Sequence, residues 1–456
     1  MMTFRQGPCV SGPDERTAAE GSAAEDTAAE GAADAGDRDP TSAVAHTLRE
    51  VLDRRVAEAS ALDKVVADDL ARGLADFALS GGSRRRAALV WWGWRACGGG
   101  AAADGRDEGA RERPVEGPEA PDPGAATPEM GAAGAEAPEA RADDSGPADG
   151  ARPGPRAVLR VAAALELIQC CALIHDDVMD GSPTRRGRPA VHVALAGRLG
   201  GRPPSGPDGA AAFGRSAAVL AGDLALAWAD DLLAETALPE PVRGEVQAVW
   251  RAMRTEMVAG QYLDLLGQAA GPGGRDPGEP DGALRTAVLK SGLYSVERPL
   301  SLGAALAGAA PRVRRALGAA GRSAGLAFQL RDDLLGVFGD PRVTGKPSGD
   351  DIRTGKATHL VAVARERARR AGDRESLGVL DEALGDGGLS PAGLERVREV
   401  LVATGARAAV EAHIGRLAAA CTAALEAAPL EPAARARLLS VLRAAAGHPA
   451  PPEDTR

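Results

Sequence analysis

The chain has 456 residues, with 64 acidic side chains against 54 basic ones and a formal net charge of −10. No block of Lys and Arg interrupts that balance, which argues against nucleic acid as the principal partner. Length alone would allow two or three domains, but much of the chain is too poor in large apolar side chains to form a core, so a folded part of about 300 residues is expected. The five cysteines (Cys9, Cys97, Cys170, Cys171, Cys421) are scattered, with neither zinc-ligand spacing nor a disulfide framework, as fits a reducing cytoplasm. No run of eighteen apolar residues and no basic-then-apolar leader occurs, so a soluble chain without stable membrane insertion is expected.

Residues 1–43 are rich in Ala, Glu, Asp and Gly, the composition of a disordered acidic arm. From Thr47 to Leu79, Leu48, Val51, Leu52, Val56, Leu70 and Leu74 recur at threes and fours, which predicts one long helix or two in succession. Ser80-Gly81-Gly82-Ser83 ends it, Arg84, Arg85 and Arg86 follow, and Ala87–Cys97, with three tryptophans, reads as a buried helix. Glycines at a helix end let backbone approach a ligand, and the arginines can clamp a diphosphate; an ordinary helix stop with a basic loop also accounts for them. Residues 44–97 thus form an N-terminal helical unit, and 98–155, again Gly, Ala, Pro and acid, a disordered insertion.

The main helical unit is expected over 156–445, and 446–456 is a Pro-rich disordered tail. Helical periodicity resumes near Ala157 and leads into Asp176-Asp177-Val178-Met179-Asp180, with Gln169 two turns earlier on the same stripe. Residues 195–210 and 270–281 read as loops, with two helical segments between them. The second carries Gln261 and Asp264, three apart, which line a cavity or merely cover a surface. Leu284–Leu306 contains Lys290 and Ser291, and Val313–Phe338 contains Gln329, Asp332 and Asp333. The loop 342–356 presents Thr344, Lys346, Asp350, Asp351 and Lys356 as a lid. Only four lysines occur, Lys64, Lys290, Lys346 and Lys356, so arginine is the default cation and lysine at three of these places suggests a specific need for a compact charge.

The densest chemistry is the Asp176 turn. A helix advances 100° per residue, so Asp176 and Asp180 lie one above the other with Asp177 beside them. Clustered carboxylates raise one another's pKa, a cost that makes sense if a cation is held there, and hard oxygen ligands suit magnesium completed by phosphate oxygens. Arg185 and Arg186 follow directly, in register to meet phosphate. A lone Asp pair is more often a solvated helix face, as Asp68-Asp69 or Asp230-Asp231 can be.

What lifts the stretch above that is the whole string D-D-V-M-D-G-S-P-T-R-R-G-R-P-A-V-H, ending at His192. It resembles the first aspartate-rich motif of trans-isoprenyl diphosphate synthases, the polyprenyl synthetase family. F-Q-L-R-D-D-L-L-G at 328–336, followed by V-T-G-K, is similar to the family's second motif, and Ser80–Arg86 to its substrate loop. The sequence departs from the pattern at Ser83, where lysine is usual, at Ala87, where proline is, and at Gly336, where a third acid is. The resemblance implies an all-α, isoprenoid synthase type helical bundle around a deep central cavity, paired as a homodimer. It implies a prenyltransferase that condenses isopentenyl diphosphate with an allylic diphosphate, with geranylgeranyl diphosphate the favoured product and three magnesium ions per site. Asp176, Asp180 and Asp332 would then ligate metal, with Asp177 and Asp333 assisting. Arg185, Lys290, Lys346 and Lys356, with Ser291 and Gln329 nearby, would hold the allylic diphosphate, and Arg84, Arg86, Arg186 and Gln169 isopentenyl diphosphate. Ala172, one turn or about 5.4 Å below Asp176, Cys171 beside it and Ile168 a turn deeper would set product length. A class I terpene synthase would show an Asn/Asp, Ser/Thr, Glu pattern at the second motif, which is lacking here. A degenerate, non-catalytic partner subunit is the other alternative, resting on Ser83 and Gly336.

Overall fold

The computed structural model describes residues 31–100, 152–198, 209–270, 280–340, 342, 348–356 and 358–445. Among them the only strands are Thr184–Arg185 and Arg188–Pro189, so the all-α reading holds. The architecture is built around the helix Pro155–Met179, here the first-motif helix. Proline in its first turn is pre-set for helix and forfeits an N–H that would have no partner there. The run that follows is apolar on nearly every face, and Val158 through Ile168 is buried almost without interruption. A helix apolar all round belongs in a core. Although long and apolar enough to cross a membrane, it is mostly enclosed by its neighbours and carries Glu166 and Gln169.

Small residues let the helix Gly209–Ala234 lie close along it, with Ala218, Ala221 and Ala225 buried in the same core. The helices Pro40–Leu62, Arg85–Ala96 and Glu240–Ala270 complete this core, with Trp91 and Trp94 fully buried and tilted together, ring centres 5.1 Å apart. A second apolar cluster joins the helix Pro311–Phe338, here the second-motif helix, to the closing helices His359–Ala371, Arg374–Ala383, Pro391–Ala403 and Ala406–Glu426.

The acidic arm ends earlier than expected. Residues 31–38 are helical, and Pro40–Leu62 starts seven residues before Thr47. Asp39 caps that helix by accepting from the Thr41 and Ser42 amides, and Asp37 takes the Trp91 indole N–H at 3.1 Å and an Arg95 N–H at 2.5 Å. Ala, Asp and Glu suit a helix start as well as a disordered arm, and the partner that decides lies more than fifty residues away. Residues 1–30, 101–151 and 446–456 lie outside the described residues. The 47–79 stretch divides in two at Asp63, which leaves the helix at φ −157° and caps the next by accepting from Val65 and Val66.

Two local forms were not expected. Arg186 and Gly187, both at positive φ (54° and 72°), make the two-residue turn of a small hairpin pairing Arg185 with Arg188, the twist that tight hairpins favour. Val288–Glu297, which carries Lys290 and Ser291, is π-helical, a wide turn that recurs at functional sites.

Candidate active site

Four segments meet where the first-motif helix ends. Asp176 Oδ1 accepts from Gln261 Nε2 at 3.1 Å and lies 3.4 Å from Lys290 Nζ, while its Oδ2 is 3.6 Å from Arg185. Lys290 also reaches Asp264 Oδ2 at 2.5 Å. Asp177 is buried, and Arg185 donates to its Oδ1 from Nε at 2.8 Å and from Nη2. Asp180 Oδ2 is 3.5 Å from Lys356 Nζ, which is itself 3.7 Å from Asp351. Every acid of the first motif therefore has a basic partner, each from a different place in the chain. Close backbone approach makes this possible, since a side chain on Gly260 would overlap the backbone of Lys290. Gln261 and Asp264, which the sequence left open between surface and cavity, both join the site.

The electrostatics follow from this crowding. Burial, and then the charge of Asp176, raises the pKa of Asp180 against the pull of Lys356 and Lys290. Burial likewise raises Asp177, and Arg185 opposes it. For Lys290, burial disfavours the ammonium, but Asp264 and Asp176 outweigh it and hold the pKa above the ordinary lysine value. Lys356 is raised in the same way by Asp351 and Asp180. Asp177 Oδ2 and Asp180 Oδ1 of this site are buried with no hydrogen-bond partner among the described residues, and such orphans are costly unless something binds them. An all-oxygen donor set with unsatisfied lone pairs fits magnesium. Among the described residues no three acids converge on one point. An ion would therefore take one or two carboxylates and complete its shell with water and phosphate oxygens, the usual habit of magnesium.

The second cluster stands across Lys356. Asp333 is 6% exposed and accepts from Gln329 Nε2 at 2.8 Å. Burial, then the charges of Asp351 and Asp332, push its pKa up to about 8. Asp332 beside it is exposed and acts on Arg85, whose guanidinium lies 4.7 Å over the Phe328 ring. Ser291 is half-buried next to Lys290. Thr344 and Lys346 lie outside the described residues.

An arginine patch forms the third part. Gly81 and Gly82 at φ 106° and 130° are followed by Arg84 at φ 42°, and this left-handed bend turns Arg84 inward. At 9% exposure it lies 3.6 Å from Glu166 and donates to the Ala78 carbonyl at 3.3 Å, so its charge answers a buried acid instead of standing open as a clamp. Arg86 donates to Ser295 Oγ at 2.8 Å and lies 4.5 Å over the ring of Tyr294, whose hydroxyl donates to Gln169 Oε1 at 2.7 Å. Arg186 rests over Phe77 and against Gly82. Arg185, expected on substrate phosphate, is instead engaged with Asp177 and Asp176. Glu166, Tyr294 and Ser295 were not singled out from the sequence; a lone glutamate inside a buried apolar run was the available signal for the first.

Beyond the buried run, Gln169, Ala172, Leu173, Asp176 and Asp180 form a partly accessible stripe of the first-motif helix, and His175, Val178 and Met179 near its end are also accessible. Ala172 is on that stripe, whereas Cys171 and Ile168 face the core.

The family profile for polyprenyl synthetase matches residues 149–390. The chain belongs to the polyprenyl synthetase family. It is 34% identical over 254 residues to the geranylfarnesyl diphosphate synthase of Aeropyrum pernix, a match covering 54% of this chain and 68% of that one. It is 34% identical over 235 residues to the (2E,6E)-farnesyl diphosphate synthase of Mycobacterium bovis, covering 52% of this chain and 58% of the relative. The fold matches the crystal structure of geranylgeranyl pyrophosphate synthase from Corynebacterium glutamicum, solved with isoprenyl diphosphate and magnesium. That match has a TM-score of 0.70 and 32% identity and covers 88% of this chain and 98% of the other. Family and fold together make this an enzyme of the isoprenyl diphosphate synthase type, and the family is magnesium-dependent.

Proposed function

We propose that the protein joins isopentenyl diphosphate to an allylic diphosphate one five-carbon unit at a time and releases geranylgeranyl diphosphate as its main product. The observation that carries this reading is Lys356 between Asp180 and Asp351, with Lys290 between Asp176 and Asp264. Acid groups this close need cations among them, and a metal-bound diphosphate supplies what two lysines leave undone.

Asp176, Asp180 and Asp332 would hold magnesium, three ions in all, with Asp177 and Asp333 supporting them. Magnesium, when bound, neutralises the diphosphate and draws electrons from the breaking carbon–oxygen bond. Lys290 and Lys356 turn from their carboxylates to the allylic diphosphate, joined by Lys346, Ser291 and Gln329. Arg86, Arg186 and Gln169 hold isopentenyl diphosphate, with Arg84 anchoring the loop through Glu166. The bond from the allylic carbon to oxygen breaks, the isopentenyl double bond attacks that carbon, and the adduct loses a proton to a base such as the departing diphosphate. The growing tail runs along the Ala172 stripe, where a methyl group leaves room that an aromatic ring would close.

The protein acts as a cytoplasmic homodimer in this reading. Val258, Tyr262 and Leu266, spaced four apart on the helix Glu240–Ala270, form an exposed apolar stripe, with Tyr262 64% exposed, which a second copy would cover. Incubating the protein with isopentenyl diphosphate, magnesium and each short allylic diphosphate in turn, then measuring product length, tests the whole. A twenty-carbon product that vanishes on chelation of divalent ions is expected. Turnover untouched by chelation refutes the metal assignment, and a different dominant chain length refutes the product.

A further inference from the structure

A cavity of about 350 Å3 opens between the helices Glu240–Ala270, Arg298–Leu306 and Pro311–Phe338, apart from the acid clusters. Arg314 and Arg315, on its wall, stand about 25 Å down the second-motif helix from Asp332. Val249, also on the wall, lies about 180° around its helix from Val258, so the cavity faces away from the exposed apolar stripe. Its most enclosed polar group is Glu297, 3% exposed. A side-chain carbon on Gly321 would stand 2.6 Å from Glu297 Cα, so glycine is what lets the second-motif helix close over this acid. Arg322 Nη1 donates to Glu297 Oε1 at 2.7 Å and Arg298 lies 3.8 Å from the same oxygen. Glu297 Oε2 is buried with no hydrogen-bond partner among the described residues. Burial raises the pKa of this carboxyl against the pull of Arg298 and Arg322.

The surrounding charges do not cancel. Arg298 grips Glu256 and Arg314 pairs with Glu245, whereas Arg315 is exposed and in no ion pair among the described residues. Four arginines thus stand against Glu245, Glu256 and Glu297, leaving one positive charge in excess. The first turn of the second-motif helix borders the same space, and a helix start adds partial positive charge. Excess positive charge calls for an anion, yet the orphan oxygen calls for a donor. An ammonium would be a third cation beside Glu297, while a hydroxyl donates without charge. A doubly charged phosphate suits guanidinium forks and a helix start better than a singly charged carboxylate does.

We propose that this cavity is a second binding site, for a small polyol monophosphate whose phosphate meets Arg315 and Arg314 and whose hydroxyl donates to Glu297 Oε2. Ser301, one turn beyond Glu297 on the same wall, offers a further hydroxyl.

Calorimetric titration of the full chain, with EDTA present to keep the acid clusters free of metal, tests the site with glycerol 3-phosphate, inorganic phosphate and glycerol as probes. Glycerol 3-phosphate should bind more tightly than inorganic phosphate, and glycerol should give no heat. Arg315→Ala, at an exposed position where folding is not at stake, should weaken glycerol 3-phosphate by about tenfold. Glu297→Gln should bring glycerol 3-phosphate close to the affinity of inorganic phosphate, and Arg86→Ala, in the arginine patch of the candidate active site, should change neither. Circular dichroism establishes that each variant is folded. No heat from glycerol 3-phosphate at millimolar concentration, unchanged affinity in Arg315→Ala, or a loss confined to Arg86→Ala overturns the proposal.

Discussion

The two acid clusters face each other across Lys356, yet they solve the problem of crowded negative charge differently. In the first, Asp176, Asp177 and Asp180 each meet a cation, so the charges are matched before any ligand arrives. In the second, Asp332 is left in solvent and Asp333 is buried, with the Gln329 amide its only hydrogen-bond donor among the described residues. Burial and neighbouring acids then hold Asp333 largely protonated below about pH 8. The first cluster is organised in advance, and the second waits for a cation to make its charge tolerable.

The comparison can be broken most directly at Asp176, which touches Gln261, Lys290 and Arg185 at once. Asp176→Ala should lower isopentenyl incorporation by about 10³-fold or more with the fold retained, read by single-substrate kinetics and circular dichroism. Next in size, Lys290→Gln removes a cation that two carboxylates hold firmly charged, and turnover should fall about 10²-fold. Near-normal rates in either variant would mean that the matched charges are structural only. Ala172→Phe leaves both clusters alone and narrows the stripe below the first, so the product distribution should move to shorter chains at similar total turnover. An unchanged distribution would place the tail elsewhere.

The smallest effect sharpens the contrast at Asp333. Its folded pKa, about 8, lies above the unfolded value of 3.8. Between those values the unfolded chain binds fewer protons, so stability falls as pH rises from about 4 to 8. Asp333→Asn removes that loss and should raise the melting temperature of the metal-free protein at pH 8 by about 2–4 °C, with no gain near pH 4. Equal melting shifts at both pH values would show that Asp333 is not held protonated.

The sequence was most legible where chemistry and helical period coincide. Asp176, Asp177 and Asp180 share one turn, and Gln169 shares their stripe, so local geometry alone grouped them. It was least legible where a contact depends on distant backbone. Nothing in the order of residues says that the loop around Gly349 bonds back to Gly336, or that Gly260 abuts Lys290 closely enough to bring Asp264 to its ammonium. Arg84 looked like a clamp because its neighbours are glycines and arginines. The positive φ that turns it onto Glu166 arises from a packing choice that composition does not carry. The 31–43 segment misled for a similar reason, its fate resting on Trp91 and Arg95.

The wide-turned segment Val288–Glu297 has a consequence for how this chain can vary. Its ammonium-bearing residue is aimed by one residue more per turn than an ordinary helix holds. Loss of a single residue just before Lys290 would let the segment relax to regular pitch and swing that side chain by about 100°, away from both of its carboxylates. Point replacements along the outer face should be absorbed, whereas insertion or deletion of one residue within the segment should not.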